Sequence, residues 1–167
     1  ISDCLVGSEM CIRDSPGIES EERGMSEAIA KNLSLLSNLK TPIIVIITGE
    51  GGSGGALAIG IGDHVCMLEH SIYAVASPEA CASIVWRDGS KAKDAAEAMK
   101  VDASNLKNLG LVDEVIEEPL GGAHRDIRGV SNSISQVIEK KLLTFDEVDI
   151  SDLINKRYEK IMSYGSI

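Results

Sequence analysis

Apolar positions along the chain switch between two spacings, and the switches mark its elements. Residues 20–40 carry Ala28, Ile29, Leu33, Leu36 and Leu39 at the steps of one helical face. Pro42 closes that helix, because the residue before a proline avoids the helical region. Residues 43–48 run without a polar break until Thr48, which predicts a strand buried on both faces. Residues 56–61 predict a short helix, cut by Gly60 and Gly62. Strands follow at 65–69 and 72–76 around a turn at 70–71, then a helix over 78–86 with Pro78 in its first position. Residues 91–101 are helical by composition, and 103–109 form a helix stopped by Gly110. A short strand at 111–116 and a glycine-rich turn at 119–124 lead to helices over 132–143 and 151–163. In the last helix Ser151 is the expected cap, and Leu153, Ile154, Tyr158, Ile161 and Met162 form the apolar stripe. Strands alternating with helices give an α/β class with largely parallel pairing. The chain shows no internal repeat and no low-complexity linker.

Composition narrows the function more than the fold. The 167 residues suit one domain or a fragment of one, and no apolar run approaches the roughly 20 residues of a membrane span. Sixteen basic against 26 acidic residues leave a net charge of −10, which argues against nucleic-acid binding and for a soluble cytosolic protein. Aromatics make up 3%, so the core must rest on Ile, Leu, Val and Ala. Cys4, Cys11, Cys66 and Cys81 form no C-x-x-C pair, and His64 and His70 flank a strand at no metal-ligand spacing, so reduced thiols and no metal are expected. Residues 1–15 fit nothing that follows; they read as a non-native leader, with Pro16 near the true entry.

Residues 41–63, TPIIVIITGEGGSGGALAIGIGD, are the least ordinary stretch. A β-branched run drives into Gly49, Gly51, Gly52, Gly54 and Gly55, then into small residues from Ala56. Glycine puts no side chain in the way of a ligand and lets the backbone bend. The N–H groups at a helix start lack intrahelical partners and stand at the positive end of its dipole. The pattern predicts a cradle for an anion or oxyanion. Stricter motifs compete for the same residues. Residues 49–54 satisfy G-x-G-x-x-G after a strand, with Glu69 as the acidic residue of a dinucleotide site. Residues 51–55 satisfy G-x-S-x-G, with Asp113 and His124 following Ser53 in the order of a hydrolase triad. A P-loop fails, because no lysine follows Gly54. A helix cut at Gly60 is short for a dinucleotide site, and nothing in the sequence fixes His124 near Ser53. A turn with a purely structural role stays open as well.

Five separated segments carry a family likeness: ESEERGMSEAIAKNL (19–33), ITGEGGSGGALAIGIGD (47–63), ASPEACASIVW (76–86), LGLVDEVIEEPLGGAHR (109–125) and RYEKIMSYG (157–165). From about Pro16 onward the chain resembles the carboxyltransferase α subunits of multi-subunit acetyl-CoA carboxylase. The resemblance implies a ClpP/crotonase-like fold, a spiral of β-β-α units. Residues 16–167 would be its C-terminal part, with the N-terminal half missing. It implies transfer of a carboxyl group from carboxybiotin, held on a biotin carboxyl carrier protein, to acetyl-CoA, giving malonyl-CoA for fatty-acid synthesis. It also implies biotin on the carrier rather than on this chain, a carboxyltransferase β subunit in an α2β2 assembly, and biotin carboxylase as a further partner. The implied setting is the cytoplasm, or the plastid stroma in a plant or alga. In that family the acetyl-CoA enolate is held mainly by β and the biotin ureido oxygen by α. Carried onto the matching motif, the α-side donors are the backbone N–H groups of Gly54 and Gly55, with Gly51, Gly52 and Ser53 shaping the substrate's approach. Ser53 is then a turn residue and not a nucleophile. The family's Asp-Thr-Pro-Gly-Ala-Tyr-Pro-Gly stretch is matched only at Pro16-Gly17, so a fragment of this kind is expected not to catalyse alone. Two rivals share the loop: a nicotinamide-dinucleotide module and a crotonase-fold scaffold without turnover.

Other candidates have ordinary readings beside their chemical ones. Glu50 is a base or a solvent-facing turn residue. His124 and Arg125 contact a carrier or partner, or simply finish a glycine turn. Arg23 pairs with Glu21 or Glu22 or takes an external anion, and Cys66 and Cys81 read as core thiols.

Overall fold

The computed structural model describes residue 22 and residues 24–165. The expectations for the leader, Arg23, Cys4 and Cys11 lie outside the described residues. In order the chain forms α1 (Met25–Ser37), β1 (Ile44–Ile47), β2 (Glu50–Gly52), α2 (Ser53–Ile59), β3 (His64–Leu68) and β4 (Ile72–Ala74). There follow α3 (Pro78–Trp86), α4 (Ala92–Met99), α5 (Ala103–Asn108), β5 (Glu114–Ile116), α6 (Ile127–Phe145) and α7 (Ile150–Ser163), with 3-10 turns at Gly89–Lys91 and Ala123–Arg125. A three-stranded sheet runs β1-β3-β5, and β2 pairs with β4 in a second sheet. The β3–β5 and β2–β4 pairs are both parallel, as the alternation of strands and helices predicts. No helix among the described residues is long and apolar enough to cross a membrane.

Two compact units divide the chain. One consists of residues 46–53 and 65–137. Its centre is β3, where Cys66 and Leu68 pack with Ile116 of β5 and Val130 of α6, flanked by Ile46, Ala123, Ile134 and Val137. Among the described residues no aromatic side chain appears in this core. All five residues of β3 are buried, so β3 is the strand covered on both faces. The sequence expects β1 in that role, but among the described residues it lies at the edge of the sheet and only its Ile47 is buried. β5 begins later than residue 111 because the N–H groups of Leu111 and Val112 turn back to Leu106 O, finishing the end of α5. Asp113 then ties β3 to β5 from both ends of one residue: its N–H donates to Val65 O at 2.8 Å, and its carboxylate accepts from Val65 N at 2.7 Å.

The other unit consists of residues 24–45, 54–64 and 138–165. Leu36 of α1 and Leu153 of α7 are buried in it. So is Arg157, which replaces Tyr158 and Met162 on the inner face of α7; those two are 64% and 60% exposed. Ala28 is likewise exposed on α1. The cap of α7 is Asp149, whose carboxylate accepts from Ser151 N and Ser151 Oγ, so Ser151 is held by the cap and is not the cap. Arg157 binds Asp63 through two hydrogen bonds, Nε to Oδ1 at 2.9 Å and one terminal nitrogen to Oδ2 at 2.7 Å. Its remaining N–H bonds reach the carbonyls of Leu36, Leu39 and Thr41 at 2.8, 2.9 and 2.9 Å. The guanidinium thereby supplies positive charge to the C-terminal end of α1, whose own last turn holds no basic residue.

Candidate functional site

The loop glycines divide between a strand and a helix. Gly51 and Gly52 lie in β2, opposite Tyr73 and Ala74 of β4. Burial pushes the Tyr73 phenol above its ordinary value, so it stays protonated at neutral pH. Gly54 and Gly55 open α2, which begins at Ser53 rather than at Ala56. The bend itself falls on Ser53, at φ 58, and not on a glycine. A short polar side chain tolerates that left-handed backbone at a cost of about 1–2 kcal/mol.

Crowding does not demand glycine at 49, 52 or 54 either. A Cβ at Gly49 would meet nothing within 4 Å, one at Gly52 would lie 4.0 Å from Ala74 O, and one at Gly54 would touch Ile29 Cδ1 at an ordinary 3.7 Å. What the glycines provide is bare backbone. Gly52 and Ser53 are exposed, while Gly51, Gly54 and Gly55 are half-buried. Among the described residues, the N–H groups of Gly54 and Gly55 make no recorded hydrogen bond. First-turn donors of this kind suit an oxygen that carries negative charge. The first turn of α2 holds no acidic side chain to compete for them.

The residues that the rival motifs need are engaged elsewhere. The Glu69 carboxylate accepts from Glu118 N at 3.2 Å, and Glu118 in turn accepts from His70 N and Ala123 N, each at 2.7 Å. These acids brace the loop around residues 117–123, a structural task with no ribose in it. At seven residues α2 is also as short as Gly60 and Gly62 foretold. Asp113 holds the backbone of Val65, and no hydrogen bond joins Ser53 to His124 among the described residues. His124 and Arg125 are exposed beyond a turn in which Gly122 N donates to Pro119 O at 2.8 Å and Gly121 has φ +92. A side chain at Gly121 would meet Arg125 Cγ at 3.2 Å, so the bare turn lets Arg125 fold back over it. Glu50 is exposed in β2, and Cys66, buried, and Cys81, half-buried, are thiols outside any disulfide.

Sequence reasoning missed Arg157, because it gave the inner face of α7 to an apolar stripe and read the two C-terminal helices as packing or subunit-interface elements. A signal was present: Leu153, Arg157 and Ile161 stand four apart on one helical face.

Residues 13–165 match the family described as acetyl co-enzyme A carboxylase carboxyltransferase-like. The chain is 55% identical over 150 residues to the acetyl-coenzyme A carboxylase carboxyl transferase subunit alpha of Vibrio cholerae, an alignment covering 90% of this chain and 47% of that protein. It therefore spans about half the length of the curated relatives it matches. Among solved structures it resembles a Pseudomonas malonate decarboxylase hetero-tetramer in complex with coenzyme A, with a TM-score of 0.60 at 16% identity over 93% of this chain and 67% of that one. An enoyl-CoA hydratase/isomerase from Marinobacter aquaeolei superposes with a TM-score of 0.53 at 15% identity, covering 97% of this chain and 61% of that one. At such identities these likenesses bear on the fold, which is crotonase-like.

Proposed function

The chain belongs to the acetyl co-enzyme A carboxylase carboxyltransferase-like family, and from that membership we propose that it supplies the α side of a carboxyltransferase site. In this reading carboxybiotin arrives as a substrate on a biotin carboxyl carrier protein, and its carboxyl group passes to acetyl-CoA to give malonyl-CoA. As the carboxyl leaves, the ureido oxygen of biotin gains negative charge. The backbone N–H groups of Gly54 and Gly55 donate to that oxygen, and Gly51, Gly52 and Ser53 form the surface along which the ring approaches. Backbone amides need no titration, which accounts for a loop without an acid–base pair. The partners in this scheme are a carboxyltransferase β subunit, the carrier and biotin carboxylase, all in the cytoplasm.

The observation that carries the proposal is the bareness of the first turn of α2: Gly54 is required by neither conformation nor crowding, Gly55 follows it with no positive φ, and both amides are unengaged among the described residues. A donor of this kind is worth about 3–4 kcal/mol of barrier. The test uses the full-length α chain assembled with β, following biocytin-dependent decarboxylation of malonyl-CoA. Gly54→Val is expected to lower turnover by about 100-fold, and Gly54→Ala far less, since a single Cβ fits against Ile29. Undiminished turnover in Gly54→Val would leave the scaffold reading instead.

A further inference from the structure

We infer that Arg157 is a positioning residue: with Asp63 it sets the place of α2 against α1, and so the direction in which the Gly54 and Gly55 N–H groups point. The inference rests on the oxyanion reading given above. An arginine has five N–H bonds in a rigid planar fork, and here all five are used inside the protein. Its side chain and that of Asp63 are 0% and 4% exposed. Three acceptors are carbonyls at and just beyond the end of α1. The carboxylate belongs to the chain leaving α2, a few residues after Gly60 N closes the helix on Ala56 O at 2.8 Å.

Asp63 also holds the chain entering β1. Its Oδ2 accepts from Ile43 N at 2.7 Å, and its own N–H donates to Ile43 O at 2.9 Å. Gly62 leaves no slack beside it, because a Cβ there would sit 2.7 Å from Val45 Cγ2 and 3.2 Å from Ile43 O. At the other end of α2, Gly54 lies against Ile29 of α1. The helix is thus gripped at its exit by Asp63 and floored at its start by the same α1 whose end Arg157 holds. A rod of seven residues is only about 10 Å long, so a shift at the exit reaches the first turn undamped.

The experiment uses the full-length chain assembled with β, biocytin-dependent malonyl-CoA decarboxylation and thermal unfolding. Arg157→Lys keeps the charge and loses the fork. The expected result is a fall in kcat of about tenfold or more per folded complex, with KM for malonyl-CoA changing by less than about twofold. Full kcat at a lowered melting temperature would show a clasp with no bearing on the amides and overturn the inference. If Arg157→Lys does not assemble, Asp63→Asn carries the test, since it keeps the size of the side chain and removes the charge that the fork grips: a lowered kcat per folded complex supports the inference and an unchanged one overturns it. Gly54→Val in the same assay separates the two levels. Full turnover there sinks the oxyanion reading and this inference with it. Loss of turnover there, with full turnover in Arg157→Lys, sinks the positioning role alone.

Discussion

At the scale of single residues, Arg157 and Asp63 show the condition under which charge survives inside a protein, namely that every N–H and both carboxylate oxygens find partners. Removing one member strands the other. Asp63→Ala is expected to cost about 3–5 kcal/mol in urea unfolding, and Arg157→Met about as much. The double variant should cost clearly less than the sum, because no uncompensated charge is left behind, and a double-mutant cycle measures that coupling. Ser53 poses a smaller problem of backbone geometry. Its φ of 58 suits glycine better than serine, and a β-branched residue worst of all. Ser53→Gly should therefore be neutral or slightly stabilising and Ser53→Val destabilising by about 1–2 kcal/mol, read from the same urea midpoints.

At the scale of elements, the short helices depend on their caps. Asp102 caps α5 by accepting from Asn105 N at 3.1 Å, and Ser77 caps α3 by accepting from Ala80 N at 3.2 Å. Asp102→Ala or Ser77→Ala should each cost about 1 kcal/mol. The hydrogen bonds from the Asn105 side chain and backbone hold the Asp102 carboxyl below its ordinary value. A carboxyl lowered in the folded state contributes its stability above the ordinary carboxylate range and loses it as pH falls through its folded value. Urea midpoints should thus drop on acidification below about pH 4, and less steeply in Asp102→Asn than in the parent. Local chemistry of this kind is what sequence conveys well. Pro78 in the first helical position was enough to place the start of α3, and Gly60 correctly foretold the shortness of α2. Long-range choices were hidden. Whether β1 or β3 takes the centre of a sheet depends on pairing that a run of isoleucines does not encode. The start of α2 was misplaced because glycines in its first turn look like loop until Ser53 is known to take the bend. On α7 the apolar count favoured Tyr158 and Met162, but an arginine whose five donors are all satisfied outcompetes them for the inner face.

At the scale of the molecule, the surface carries apolar side chains that water alone does not favour. Val75 and Ile84 are 80% and 75% exposed in one unit, and Leu143 is 70% exposed in the other. In the carboxyltransferase reading proposed above, such side chains are surface that a β subunit can cover. The chain by itself is accordingly expected to give no biocytin-dependent decarboxylation of malonyl-CoA, and turnover should appear only when full-length α is combined with β. The Arg157 clasp has a consequence in time as well as in space. The oxygen it takes from Leu36 lies 121 positions earlier in the chain. During synthesis the first described helix leaves the ribosome long before the residue that neutralises its trailing dipole exists. That contact can therefore form only after α7 has emerged, which makes it one of the late, long-range closures of the fold.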